Sequence, residues 1–268
     1  MKLTGIPQEY SRIHSKCRRQ DLPQLLTLAP GMMTTETTDI EHSWKLALSD
    51  PLYLIAFASS GDHEVLEEEL DDPLVVAMIN APITDTGVCP LHAAVRSGHA
   101  ECVRVLCKRG AAVDLPMSGG YSPLHIATNL GLVDCVRALC EADADVDQTA
   151  NNGTTSLMEA TCRGHVDCLR ILLEAGAQVD FALRGHFTPL YAGAHRGHFE
   201  CVRLLSSYGA KRDDHAVRYA AGGGHTLLRD WLMLSRDWGP LHHLEVCLPH
   251  EPPSSKVTLR PCTDEPRT

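Results

Sequence analysis

The sequence predicts an all-α solenoid of stacked helix-turn-helix units joined by short, β-hairpin-like finger loops. Three observations carry this. Pro90, Pro123, Ser156 and Pro189 stand 33 residues apart, as do Gly98, Gly131, Gly164 and Gly197, and Cys102, Cys135, Cys168 and Cys201. Three independent positions keeping one period through four copies mark a stacked-repeat architecture. Each copy also holds two short apolar blocks at helical spacing, separated by a glycine. Aromatic residues make up only 5% of the chain, which suits small-residue helix packing better than an aromatic-rich β-sandwich.

Each element of the unit has a physical reason. Ser122, Thr155 or Thr188 caps a helix, and the proline that usually follows suits the first helical position. Leu124, Ile126 and Ala127 form the apolar run of a closely packed inner helix. Gly131 or Gly164 ends it and permits a tight reversal. Val136, Leu139 and Cys140, or Leu169, Leu172 and Leu173, form the apolar stripe of an antiparallel second helix. Gly110-Ala111 or Gly176-Ala177 then turns the chain into an extended finger. One such unit cannot bury its apolar face alone, whereas stacked neighbours can.

The four copies read CPLHAAVRSGHAECVRVLCKRGAAVD (Cys89 to Asp114), SPLHIATNLGLVDCVRALCEADADVD (Ser122 to Asp147), TSLMEATCRGHVDCLRILLEAGAQVD (Thr155 to Asp180) and TPLYAGAHRGHFECVRLLSSYGAKRD (Thr188 to Asp213). This resembles the ankyrin repeat, TPLHxAAxxGHxxxVxxLLxxGAxxN, over about half of the chain. The departures are local. Ser156 replaces the proline, Met158 and Tyr191 replace the first histidine, Leu132 replaces the histidine after glycine, and Asp143 replaces the glycine before Ala144.

Residues 85–213 hold the regular repeats, and residues 50–84 read as a degenerate first repeat plus a connector. Pro51, Leu52, Ala56, Ala58 and Gly61-Asp62 echo the motif there. Glu64, Glu67, Glu68 and Glu69 are expected to give its second helix the polar outer face of a capping repeat. After the fourth regular repeat the period slips. Gly224-His225 follows Gly197-His198 by 27 residues, so residues 214–247 read as a shortened repeat and an incomplete one opening at Trp238. Residues 1–49 are expected to be poorly ordered, and the Pro- and Ser-rich residues 248–268 to be a disordered tail.

A formal net charge of −10 argues against a general nucleic-acid or anionic-membrane binder. The four equivalent cysteines should lie about 8–10 Å apart in neighbouring repeats. That is beyond the roughly 7 Å reach of a disulfide and far beyond a shared zinc, so they read as buried free thiols. Unpaired thiols, the absence of a signal-like apolar run at the N-terminus and the lack of any 18-residue apolar stretch point to the cytosol or nucleus.

No catalytic constellation, nucleotide loop or dinucleotide fingerprint is present, so an enzyme is not expected and no cofactor or metal is called for. His63-Glu64-Val65-Leu66-Glu67 lacks the second histidine of a zinc-protease helix. Gly222-Gly223-Gly224 lacks the Lys-Ser/Thr of a phosphate loop and reads as the turn of the slipped repeat. By the resemblance, His92, His125 and His242 are structural, as are His99, His165 and His198.

What remains is surface. The resemblance implies a protein-binding scaffold, acting as a monomer, that uses finger tips and the concave face of the inner helices. Carried over position by position, the finger row is Val88, Tyr121, Thr154 and Phe187, with tips at Asp85, Ser118, Asn151 and Arg184. The residues before the turn glycines are Arg96-Ser97, Asn129-Leu130, Cys162-Arg163 and His195-Arg196. Arg163, Arg184, His195 and Arg196 gather on the third and fourth regular repeats, which suggests a partner with an acidic segment. An alternative is a substrate adaptor of a cullin-type ubiquitin ligase, in which ankyrin repeats precede a SOCS box. That box opens with Leu, three residues and Cys. Here Leu244/Cys247 and Leu259/Cys262 are each separated by two residues, so no box is recognisable.

Overall fold

A computed structural model describes residues 51–82, 87–183 and 187–235. The chain forms two layers of short helices. The inner layer is α1 (Pro51–Ser60), α4 (Pro90–Ser97), α6 (Pro123–Leu130), α8 (Ser156–Arg163), α10 (Pro189–Arg196) and α12 (Asp214–Gly222). The outer layer is α2 (His63–Glu69), α5 (Ala100–Lys108), α7 (Val133–Glu141), α9 (Val166–Glu174), α11 (Phe199–Ser207) and α13 (Thr226–Leu234). One short helix, α3 (Pro73–Val76), lies in the connector after α2. Each inner helix packs on the next inner helix and on its own outer helix. Among the described residues no helix is long and apolar enough to cross a membrane.

The core repeats with the sequence. Leu91, Leu124, Leu157 and Leu190 are fully buried at one inner-helix position, and Leu106, Leu139, Leu172 and Leu205 at one outer-helix position. Burying a leucine contributes about 1.5–3 kcal/mol, so these columns supply much of the stack's cohesion. Cys102, Cys135, Cys168 and Cys201 are buried and free, and burial pushes their thiols up to about 11 or 12. They fill space as small apolar side chains.

Adjacent repeats are registered by a histidine seated on a glycine. The imidazoles of His99, His165, His198 and His225 lie over Gly61, Gly131, Gly164 and Gly197. Each of these glycines has positive φ, so it permits the left-handed helix end and leaves room for the ring. A Cβ on Gly164 would lie 2.7 Å from His198 Nδ1. His99, His198 and His225 each place Nε2 at 3.1 Å from a carbonyl of the preceding repeat, those of Ser59, Cys162 and His195 respectively. At the one regular repeat that lacks this histidine, Leu132 rests against Gly98 instead.

The fingers are narrow reversals closed by one or two backbone hydrogen bonds. The amides of Met117, Ala150 and Leu183 donate to the carbonyls of Tyr121, Thr154 and Phe187 at 3.0, 2.9 and 2.9 Å. A second ladder crosses between fingers. Asn80, Asp114, Asp147 and Asp180 accept the backbone N–H of Ala112, Asp145, Gln178 and Lys211 at 2.8–3.1 Å. Asp213, next in that series, instead caps α12 through His215 and Ala216 and accepts the Tyr191 hydroxyl at 2.6 Å.

The structure corrects some details of the sequence reading. Glu64, Glu67 and Glu68 are exposed, but Glu69 is buried, so the acidic face of α2 is narrower than its composition suggests. Ile126 and Cys140 are only half-buried, because the helical stripe is narrower than the run of apolar letters. The slipped repeat does keep both helices, and Gly224, at φ 79°, makes its left-handed turn. The N-terminal segment, the tips Asp85 and Arg184, the opening at Trp238 with His242, and the tail lie outside the described residues.

His125 makes the structural bonds that the resemblance implies. The backbone N–H of Ser122 donates to His125 Nδ1 at 3.3 Å, which leaves the proton on Nε2 to reach the Thr154 carbonyl at 3.1 Å. His92 receives the Cys89 N–H in the same way, but among the described residues its buried Nε2 has no hydrogen-bond partner. Burial, and secondarily the charge of Arg96, holds the His92 imidazole down at about 4, with the backbone of Leu115 and Tyr121 compensating only in part.

Three predictions follow from these positions. Asp143 is the only non-glycine residue with positive φ (59°) among those described, where Gly110, Gly176 and Gly209 stand in other repeats with open space around them. Asp143→Gly should therefore stabilise the stack by about 1 kcal/mol, a melting-point rise of roughly 2–4 °C. Ser156 is buried at the first helical turn with its hydroxyl unpartnered among the described residues, where Pro90, Pro123 and Pro189 stand elsewhere. Ser156→Pro should add about 1 kcal/mol, read as a raised urea midpoint. For His92, both states hold a neutral ring above pH 6.5, and below it the unfolded chain takes the proton first. Stability should thus fall as pH drops from about 6.5 to about 4, by at most about 1.4 kcal/mol per unit from this residue. His92→Gln should flatten that slope in denaturant titrations, and an unchanged slope would rule out the assignment.

Candidate functional site

The fold aligns the candidate residues in two rows, one on the fingers and one on the inner helices. The first is the finger row, Val88, Tyr121, Thr154 and Phe187, all half-buried. The sequence suggests exposed anchors there, but the two rings are partly used inside the chain. Tyr121 stands edge-on to His125 with centroids 6.0 Å apart, and its hydroxyl accepts from Asn152 at 3.2 Å. Phe187 stands edge-on to Tyr219 of the last described repeat at 5.3 Å. These contacts fix the rings without covering them.

The second row lies at the C-terminal ends of the inner helices, held there by the left-handed glycines that follow. Arg96, Arg163, His195 and Arg196 are exposed. Asn129 is half-buried and donates to Glu159 at 3.2 Å. Leu130 presents an exposed apolar side chain beside it. Arg163 and Arg196 come from adjacent helices, yet both act on Cys162. Burial and then Glu159 raise its thiol, and these two guanidiniums oppose them. Among the described residues neither arginine is in an ion pair. Arg184, which the sequence reading places with them, lies outside the described residues.

Tyr219 belongs to this face, though the sequence reading passed it over. It stacks on Tyr191 at 5.3 Å, meets Phe187 edge-on and lies 6.3 Å from His195. Its ring stands in the shortened repeat, and the loss of the 33-residue period hid it. Counting back from Gly224 instead of forward from Pro189 places it at the inner-helix position of Ile126, Glu159 and Ala192. Tyr191 is held protonated by burial and by its bond to Asp213, so it serves as a donor and not as an anion.

The outer helices differ in charge arrangement. Helices α5, α7, α9 and α11 each carry an acid and an arginine three residues on: Glu101/Arg104, Asp134/Arg137, Asp167/Arg170 and Glu200/Arg203. The first and last of these close as ion pairs, with Arg203 Nη2 2.7 Å from Glu200. That face is locally neutral and solvated. Among the described residues no group of three or more potential ligands is placed to hold a metal ion.

The ankyrin repeat family model, built on three copies of the repeat, matches residues 52–150 and 142–217, which together span more than half of the chain. No curated protein matches the sequence. Among solved structures, the human ASB11 ankyrin repeat domain is similar, with 28% identity and a TM-score of 0.56 over 66% of this chain and 82% of that one. The chain belongs to the ankyrin repeat family.

Proposed function

We infer that this protein is a non-catalytic scaffold that binds an extended segment of another protein between its fingers and the exposed ends of its inner helices. Ankyrin repeats serve as protein-interaction modules, and here one feature supports the location. The row Arg96, Arg163, His195 and Arg196 is exposed on rigid helix ends, whereas the outer helices α5, α7, α9 and α11 carry locally balanced charge. Arginine and aromatic side chains on a rigid frame lose little freedom on binding and are enriched among the residues that dominate interface energy. The eight free cysteines among the described residues support a reducing compartment, the cytosol or nucleus. We take the scaffold to act as a monomer.

The test is affinity capture from cell lysate with identification by mass spectrometry. The variant Arg96→Glu/Arg163→Glu/Arg196→Glu, checked for unchanged melting, should lose a specific protein. Arg137→Glu/Arg170→Glu on the outer helices should keep it. Equal recovery with both variants would place the binding surface elsewhere. Elongin and cullin subunits retained by every form would establish the ligase-adaptor role in its place.

A further inference from the structure

The chemistry and register of the partner segment follow from the spacing of the exposed cations, granted the scaffold reading above. Helices α8 and α10 pack directly on each other. Equivalent side chains on them therefore stand about 8–10 Å apart. Arg163 and Arg196 are such a pair, each the residue before its turn glycine. Both are exposed, and both lie close enough to Cys162 to act on the same thiol. His195 is exposed alongside, and Tyr219 and Phe187 form an aromatic edge one repeat further on. Two acids lie nearby: Glu159, four residues before Arg163 and tied to Asn129, and Asp213, which accepts the hydroxyl of Tyr191 behind Tyr219.

An extended chain in the polyproline conformation has three residues per turn and rises about 3.1 Å per residue, so every third side chain returns to the same face after about 9 Å. That step matches one repeat of the stack. A flat β-strand returns to the same face after two residues and roughly 7 Å, which falls short.

We propose that the inner-helix face of repeats α8–α9 and α10–α11 takes an extended acidic protein segment in which carboxylates three residues apart meet Arg163 and Arg196, with the next step reaching the Phe187–Tyr219 edge. Arginine is suited to this role because its planar fork binds a carboxylate through two parallel N–H donors. The outer helices offer no equivalent, because the arginines of α5, α7, α9 and α11 each have an acid one turn away and Arg229 of α13 is paired with Asp230. Nucleic acid is disfavoured by the net charge of −10 and by the short length of the cationic stretch.

The experiment is fluorescence anisotropy on the full chain with labelled proline-rich peptides. One peptide carries two glutamates three positions apart, a second carries them two positions apart, and a third carries glutamines in their place. The three-apart peptide should bind about tenfold more tightly than the glutamine peptide, and more tightly than the two-apart peptide. Arg163→Gln and Arg196→Gln should each remove most of that difference. Arg137→Gln/Arg170→Gln should not change it. Glu159→Gln removes the carboxylate on the helix of Arg163 and should tighten binding about twofold to threefold. Equal binding of the glutamate and glutamine peptides would overturn the proposal, as would equal binding of the two glutamate spacings. Tighter, arginine-dependent binding of a single-stranded oligouridylate would overturn it in favour of nucleic acid. If the peptides fail while the arginine-to-glutamate variant still loses a captured protein, the acidic chemistry falls and the scaffold reading stands. If both fail, both fall.

Discussion

The contact on which the rest of the molecule depends is the seat between a turn glycine and the histidine of the next repeat. The glycine supplies two things at once: a backbone conformation that L side chains rarely adopt, and an empty space that an imidazole fills. The ring then donates across the interface to a carbonyl two residues before that glycine. Geometry within one repeat is thereby tied to spacing between repeats. The leucine columns supply the larger free energy, but they are non-directional and would tolerate some slip. The histidine seat and the Asn80–Asp114–Asp147–Asp180 ladder are directional, and they fix the register in which the leucines meet.

The period made the stack legible, and it also set the limit of what the sequence could tell. Equivalence of position is a one-dimensional property, and Gly98 with Gly131, or Cys102 with Cys135, reveals it directly. Exposure is not, because it depends on what the adjacent repeat lays against a residue. Phe187 looks like a free finger aromatic until Tyr219 is placed beside it, and Glu69 looks like one acid among four until α2 is folded onto its neighbours. Asp114, Asp147 and Asp180 stand at a perfect 33-residue spacing in the quoted motifs. The signal for the ladder was therefore present, but an aspartate at a loop reads equally well as a solvated charge. Where the period breaks after Asp213, equivalence itself is lost, and Tyr219 went unassigned for that reason.

The departures from the repeat pattern near the end of the stack compensate one another. Among the described residues no amide follows Asp213 in the way that Lys211 follows Asp180, and α12 lacks a Thr-Pro start. Asp213 meets both needs by capping α12 and taking the Tyr191 hydroxyl. Tyr191 stands where His92 and His125 stand in earlier repeats, and a histidine there bonds to the residue three before it. A phenol is longer, reaches forward to Asp213, and stacks on Tyr219. Substitution of histidine and reassignment of the aspartate are thus one local solution, and it places stacked aromatic rings beside His195.

A stack with fixed spacing imposes its own kind of selectivity on whatever lies along it. Each repeat touches only its neighbours, so each presents its exposed residues nearly independently, and a ligand is read by the match between its step and that of the frame. For a cationic pair on an acidic protein, long-range and short-range electrostatics oppose each other. The overall charge of −10 repels an acidic segment at distances beyond the fingers, which slows encounter and penalises acidic chains that make no close contact. Attraction returns only within a few ångströms, where a guanidinium grips a carboxylate directly. Salt screens the distant repulsion over about 10 Å more completely than it weakens a close, partly desolvated contact. Affinity therefore has to come from register and not from bulk charge, and the rigidity conferred by the glycine–histidine seats is what allows register to be read.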